Sequence, residues 1–182
     1  SIGQFDNLFT PIQIANFTST LANGGKRYSP HIIKEVRKHD GSIVRQTNIE
    51  YEELPLSEGT MDYINESLKA VVHENYGTAY SYFIDFPEDI TVAGKTGTPE
   101  TGARSSNALF IAYAPADDPE IAVAVVIEKG VWGSNAVQVG VDVLKEYFGM
   151  NSNIQPEDRI TTDEIRLTRW KFIIMISSDM PE

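Results

Sequence analysis

The chain has no cysteine among its 182 residues. Disulfides, thiolate metal sites and a cysteine nucleophile are therefore excluded, although the absence fits either redox compartment. Histidine is scarce as well. His31, His39 and His73 lie far apart and form no HxxxH or HExxH pair, so neither a metal site nor a metal cofactor is expected. Cations are outnumbered, 15 Lys and Arg against 26 Asp and Glu, and the net charge of −11 argues against a nucleic-acid-binding surface. The same sign disfavours adhesion to an anionic membrane. Long apolar runs are also missing. The tract Phe172 to Ile176 falls far short of the ~20 residues of a membrane span, and no stretch reads as a signal peptide.

What remains is ordinary for a globular core: 41% apolar and 10% aromatic residues, in a length that fits one domain or a large part of one. Thr10-Pro11-Ile12-Gln13 puts a hydroxyl at the N-cap, proline at the first helical position and glutamine at N3, a capping box. Ile14, Phe17 and Leu21 follow at helical spacing, and Asn23-Gly24-Gly25 ends the pattern, which predicts a helix over about 11–22. Two β-rich runs flank Asp40-Gly41, a hairpin signal. "EYEELPLSEG" reads as an acidic loop, after which Ser57 can cap a helix carrying Met61, Ile64, Leu68 and Val71. Gly77 breaks that helix.

The last third reads as sheet. "ITVAGKTGT", "NALFIAYAP" and "EIAVAVVIE" are candidate strands, the second and third joined by a short turn suited to an antiparallel pair. The unbroken apolar run of the third implies burial on both faces. Ser134 can cap a helix with Val137, Val141, Leu144 and Phe148 on one face, stopped by Gly149. Strands and helices fall in blocks, so the expected class is α+β, an antiparallel sheet with helices on both faces. From Asn151 the text turns polar. Thr161-x-x-Glu164 offers another capping box, and a short helix followed by an extended apolar tail is expected.

"GKTGT" carries the chemistry. Gly94 and Gly97 remove side chains, so a ligand backbone could approach the strand; Lys95 offers a cation, and Thr96 and Thr98 offer hydroxyls and N–H groups. On an edge strand beside a cleft, that set suits a carboxylate or amide laid alongside as an added strand. A solvated lysine before a turn satisfies the same residues. A phosphate loop does not, because the G-x-x-x-x-G-K-[ST] spacing is absent.

Lys95-Thr96-Gly97 matches the K-T-G element of penicillin-binding proteins and serine β-lactamases. Around it, Ser1-Ile2-Gly3-Gln4, Thr10-Pro11-x-Gln13-x-Ala15 and Leu21-Ala22-Asn23-Gly24-Gly25 resemble the segment between the second and third motifs of penicillin-binding transpeptidases. "VVHENYGTAY" resembles the approach to the K-T-G strand, "NALFIAYAPADDPEIAVAVVIE" its two following strands, and "SNAVQVGVDVLKEYF" the terminal helix. The order is the family's, and the style is closest to its class B monofunctional members. The resemblance implies a five-stranded antiparallel sheet covered on both faces. It also implies acyl transfer: an S-x-x-K serine attacks the D-Ala-D-Ala end of a peptidoglycan stem peptide, a neighbouring stem's amine takes the acyl group, and β-lactams trap the acyl-enzyme. Lys95 would then hold the substrate carboxylate and support the proton relay. Thr96 and Thr98 would hydrogen-bond the carboxylate, Gly97 would let the ligand lie against the strand, and the Thr98 N–H would form half of the oxyanion hole. Arg104 and Ser105, just beyond the turn, would stand at the rim.

The sequence also departs from the family. None of its lysines has a serine three positions earlier, so there is no S-x-x-K, and Ser105-Ser106-Asn107 lies after K-T-G rather than before it, where a polar loop is the simpler reading. The expectation is that residues 1–149 are the C-terminal part of a transpeptidase domain and 150–182 an extension of unassigned role. On that expectation the chain alone is inactive and the family's first strands and nucleophile helix lie in a missing N-terminal part of the same domain. The open sheet edge would favour a homo-oligomer. The parent protein would be anchored by an N-terminal helix and work outside the bacterial cell membrane. A β-lactamase or β-lactam-sensor fragment, or a non-catalytic structural homologue, are the alternatives. Elsewhere, His73 reads as a helix-end residue rather than a base, Glu52-Glu53 as a solvated loop rather than a glycosidase dyad, and Trp132 and Tyr113 as core or cleft-rim aromatics.

Overall fold

The computed structural model describes residues 7–31, 33, 35–48, 50–100, 106–150 and 170–176. Thr10 opens α1 (Pro11–Ala22) as the capping box predicts: its hydroxyl accepts from the Gln13 N–H, and Gln13 Oε1 accepts from the Thr10 N–H at 2.8 Å. Gly24 and Gly25, at φ 66° and 97°, turn the chain out of the helix into β1 (Lys26–Tyr28). The Asp40-Gly41 turn joins β2 (Glu35–Arg37) to β3 (Ile43–Gln46) as an antiparallel pair. There the Asp40 carboxylate accepts from both the Ser42 hydroxyl, at 2.6 Å, and the Ser42 N–H, which holds its pKa below the usual carboxylate range.

One expected loop is a strand. The acidic stretch contains β4 (Tyr51–Glu53), antiparallel to β1 in the register Lys26↔Glu53, Arg27↔Glu52, Tyr28↔Tyr51. Each acid faces a base across the ladder, Arg27 and Glu52 form an ion pair, and the two tyrosine rings sit 5.3 Å apart. Charge matching between segments 25 residues apart overrides the weak strand propensity of glutamate.

Ser57 caps α2 (Glu58–His73), as predicted. A turn through Gly77 and a 3-10 turn at Tyr80–Tyr82 lead to β5 (Ala93–Gly97), followed by β6 (Ala108–Ala114) and β7 (Ile121–Ile127). The final helix, α3 (Val137–Tyr147), is not capped by Ser134. That residue lies inside a 3-10 turn, Gly133–Ala136, whose own backbone bonds lead into the helix, so Ala136 occupies the cap with no side-chain bond. β8 (Trp170–Ile176) realises the extended apolar tail; the Thr161 capping box and short helix fall outside the described residues.

The main sheet has the order β5-β6-β7-β8 and is antiparallel throughout. Strand alternation sends Phe110, Ala112, Val123 and Val125 to one face, where they bury Val137, Val141 and Leu144 of α3. The other face presents Ala93, Tyr113 and Ala122 to Leu21 of α1 and Leu68 of α2. Helices on both faces of an antiparallel sheet were the expectation. β8 occupies the outer side of β7, so β5 and β8 are the terminal strands, and among the described residues nothing pairs with the outer edge of β5.

Tyr113 is only 3% exposed, and its hydroxyl donates to Asn65 Oδ1 at 3.0 Å. Burial pushes its phenol up to about 12. The neutral form is therefore favoured in the folded state, a stabilisation present below the unfolded value near ~10 and lost as pH rises toward about 12. Tyr113→Phe should flatten the alkaline arm of the stability–pH curve across that window, by up to roughly 2 kcal/mol. Urea titrations of both proteins at pH 9 and 12 check this, and parallel curves would refute it.

Candidate active-site strand

β5 displays Lys95, Thr96 and Gly97 on a terminal strand of the sheet, with Thr98 immediately beyond. Because side chains alternate along a strand, Lys95 projects to the α1/α2 face and Thr96 to the α3 face. Lys95 is exposed, and its Nζ donates to the carbonyl of Thr96 at 2.8 Å, so the ammonium lies along the strand.

The two glycines divide between different tasks. Gly97 is the permissive one: a Cβ added there would meet only Leu109 Cβ, at 3.4 Å, so its missing side chain leaves the strand surface open. Gly94 was expected to do the same and does not. It is buried, and an added Cβ would press the Phe110 ring at 3.1 Å and the Ile111 carbonyl at 3.0 Å, so Gly94 makes room for core packing instead.

Both threonine hydroxyls are held from outside the strand. Thr96 Oγ1 lies 2.8 Å from Thr78 Oγ1, in the turn after α2. Thr98 Oγ1 accepts the Gly133 N–H at 2.9 Å, from the 3-10 turn before α3. That turn is packed tightly: a Cβ on Gly133 would come within 2.5 Å of the Gly97 carbonyl oxygen. Its approach loop is strained, with Lys129 at φ 59° and Val131 at φ 70°, a region costly for a β-branched residue. The loop is pinned regardless. Val131 N–H donates to Ser106 O at 3.0 Å, Lys129 N–H to Asn107 Oδ1 at 3.0 Å, and Asn135 Nδ2 to Gly130 O at 2.7 Å. Asn107 thus serves as a loop brace, in line with the plain reading of Ser105-Ser106-Asn107.

Of the residues weighed in the sequence, Lys95, Thr96, Gly97 and Thr98 come together, while Arg104 and Ser105 fall outside the described residues. Trp132 is 66% exposed on the strained loop; Tyr113, by contrast, is core. His73 ends α2, and its Nε2 accepts the Val92 N–H at 3.0 Å, which ties the helix to the start of β5. Glu52 pairs with Arg27 in a strand rather than standing in a loop. Thr78 and Gly133 were not singled out in the sequence. Their only signals are "YGTAY", where a turn follows a helix end, and a glycine after Trp132; neither says that it packs against β5. Among the described residues no three His, Asp or Glu side chains could hold a metal ion, and no helix is long and apolar enough to cross a membrane.

Residues 1–145 match the model of the penicillin binding protein transpeptidase domain. The chain is 30% identical over 167 residues to penicillin-binding protein 2B of Streptococcus pneumoniae, which covers 83% of this chain and 24% of that protein. It is 32% identical over 136 residues to the peptidoglycan D,D-transpeptidase PbpA of Mycolicibacterium smegmatis, covering 71% of this chain and 26% of that one. The fold superposes on penicillin-binding protein A from M. tuberculosis, solved as an imipenem acyl-enzyme complex, with a TM-score of 0.69 and 28% identity, over 81% of this chain and 32% of that chain. The sequence therefore spans about a quarter of the curated relatives it matches.

Proposed function

The chain belongs to the penicillin-binding protein transpeptidase family, and from that membership we propose that it forms the K-T-G wall of a serine D,D-transpeptidase that cross-links peptidoglycan stem peptides. The observation that carries the reading is β5 itself: a lysine, two hydroxyls and a bare glycine along the edge of a terminal strand of the sheet, each hydroxyl braced by a separate loop. An extended peptide ending in a carboxylate can pair with such an edge, and Gly97 leaves it room to lie flat.

In this reading the attacking serine and its S-x-x-K lysine belong to another part of the parent protein, since the sequence contains no such motif. The serine oxygen attacks the penultimate D-Ala carbonyl, terminal D-Ala leaves with a proton on its nitrogen, and an amine of a neighbouring stem takes the acyl group from the serine. Lys95 and the Thr96 and Thr98 hydroxyls receive the terminal carboxylate. The Thr98 N–H supplies one of the two donors for the oxyanion, and removing such a donor typically slows the step 10²–10³-fold. β-Lactams occupy the same place and stop at the acyl-enzyme; the imipenem acyl-enzyme complex of the M. tuberculosis protein supports this. The parent is proposed to work on the outer side of the bacterial cell membrane, anchored by a segment outside this sequence. Arg104 and Ser105 are proposed for the rim, and self-association of the isolated chain is proposed through the sheet edge that the absent strands would leave exposed.

Fluorescent penicillin tests the assignment. The full-length protein should be labelled covalently and the 182-residue chain alone should not. Lys95→Ala in the full-length protein should slow labelling by roughly 10²-fold or more, as for loss of a charged group at the reacting centre. No labelling of the full-length protein, or equal labelling of Lys95→Ala, would reject the reading. Rapid release of the label as hydrolysed penicillin would favour a β-lactamase instead.

A further inference from the structure

A hydroxyl has one proton to give and lone pairs to receive with, so its neighbours decide which way the proton points. On Thr98 the direction is already set. Gly133 offers an N–H, which can only donate, and Thr98 Oγ1 accepts it at 2.9 Å, so the Thr98 proton is available to a second acceptor. Thr96 is different, because its partner at 2.8 Å is the hydroxyl of Thr78, and either oxygen could be the donor. An anion lying along β5 accepts only. It therefore selects one of the two arrangements, with Thr78 donating to Thr96 and Thr96 donating to the anion.

We propose that Thr78 is a positioning residue that turns the Thr96 hydroxyl into a dedicated donor, so that Thr96 and Thr98 present two protons to one carboxylate. The inference rests on the carboxylate role proposed above for β5. The turn that carries Thr78 is built to hold it in place. Ala79 N–H donates to the Val71 carbonyl at 3.1 Å, and Ala79 is fully buried. Gly77 lies so close to the last turn of α2 that any Cβ would collide with the Val71 and Ala70 carbonyls, so the glycine is what lets the turn fold back against the helix. Thr78 thus reaches β5 from a rigid base. The two hydroxyls in series also polarise one another, which strengthens the outer bond to a charged acceptor more than to a neutral one.

That charge dependence supplies the test. In the full-length protein, acylation rates are measured with benzylpenicillin, which carries the carboxylate, and with its methyl ester, which does not. Thr78→Val, which keeps the shape and removes the hydroxyl, should slow the carboxylate form roughly five- to tenfold, the scale of one hydrogen bond between uncharged groups, here the lost Thr78–Thr96 bond. It should leave the ester rate within about twofold, which also reports that the variant is folded. Thr78→Ser should restore the carboxylate rate, and Thr78→Ala should behave as Val does. Equal slowing of acid and ester, or failure of Ser to restore the rate, would assign Thr78 a merely structural role and overturn the inference. A wild-type protein acylated equally well by acid and ester would also overturn it, while leaving acyl transfer standing. A wild-type protein that takes neither would overturn both.

Discussion

Replacing Gly133 by valine in the full-length protein should slow penicillin acylation about a hundredfold, the usual consequence of an ångström-scale displacement at a reacting centre. The cause is steric and local. A Cβ at Gly133 would stand 2.5 Å from the Gly97 carbonyl oxygen and 2.9 Å from its carbonyl carbon and nitrogen, separations that non-bonded carbon does not tolerate. The strand cannot yield without disturbing its ladder to β6, in which Gly97 faces Leu109. The 3-10 turn cannot swing away freely either, because Val131 and Asn135 pin the loop before it and α3 follows directly. Whatever moves, the Gly133 N–H to Thr98 Oγ1 bond opens. Gly97→Ala is the informative contrast. Its methyl would meet only Leu109 Cβ at 3.4 Å, so thermal stability should hold while the ligand's approach is obstructed. Gly133→Val should lose both stability and acylation. Acylation within threefold of wild type in the Gly133 variant would show that the 3-10 turn does not position Thr98.

The contrast between these glycines marks how far the sequence could be read. Local signals were legible wherever a rule acts over a few residues. The Thr10 capping box, the Asp40-Gly41 turn, the Ser57 cap and the three apolar strand runs each specify their element from within. The lysine, the two threonines and Gly97 were legible as a site because they are contiguous on one strand. What stayed hidden depends on segments that meet only in the fold. β4 looked like a loop because its strand partner, the basic β1, lies 25 residues earlier. Gly94 looked like a ligand-facing glycine because nothing near it in sequence announces the Phe110 ring. Thr78 and Gly133 reach β5 from 18 and 35 residues away in sequence, the one through a side chain and the other through a backbone N–H that belongs to every non-proline residue. Ser134 misled for the opposite reason. It is a good cap residue by type, but the 3-10 turn had already supplied the bonds a cap would make.

Phe110→Ala should destabilise the chain by about 4 kcal/mol, within the range for removing a buried aromatic ring. The ring is fully buried on β6, and two glycines shape its slot. Gly94 on β5 leaves the space at one end, where a Cβ would lie 3.1 Å from the ring, and Gly140 on α3 leaves it at the other, where a Cβ would lie 2.5 Å from Cδ1. Phe83 closes the slot, with its centroid 6.3 Å from that of Phe110. The architecture predicts a change of sign that a generic core position would not give. In the wild type, Gly140→Ala should destabilise by roughly 1–3 kcal/mol through overpacking against the ring. In the Phe110→Ala background the same methyl enters vacated space, and the better helix propensity of alanine, worth ~1 kcal/mol, should make the substitution stabilising. Urea unfolding of the four proteins closes the cycle. Additive effects would mean that Gly140 owes its place to something other than the Phe110 ring, and that the K-T-G strand is not locked to α3 through it.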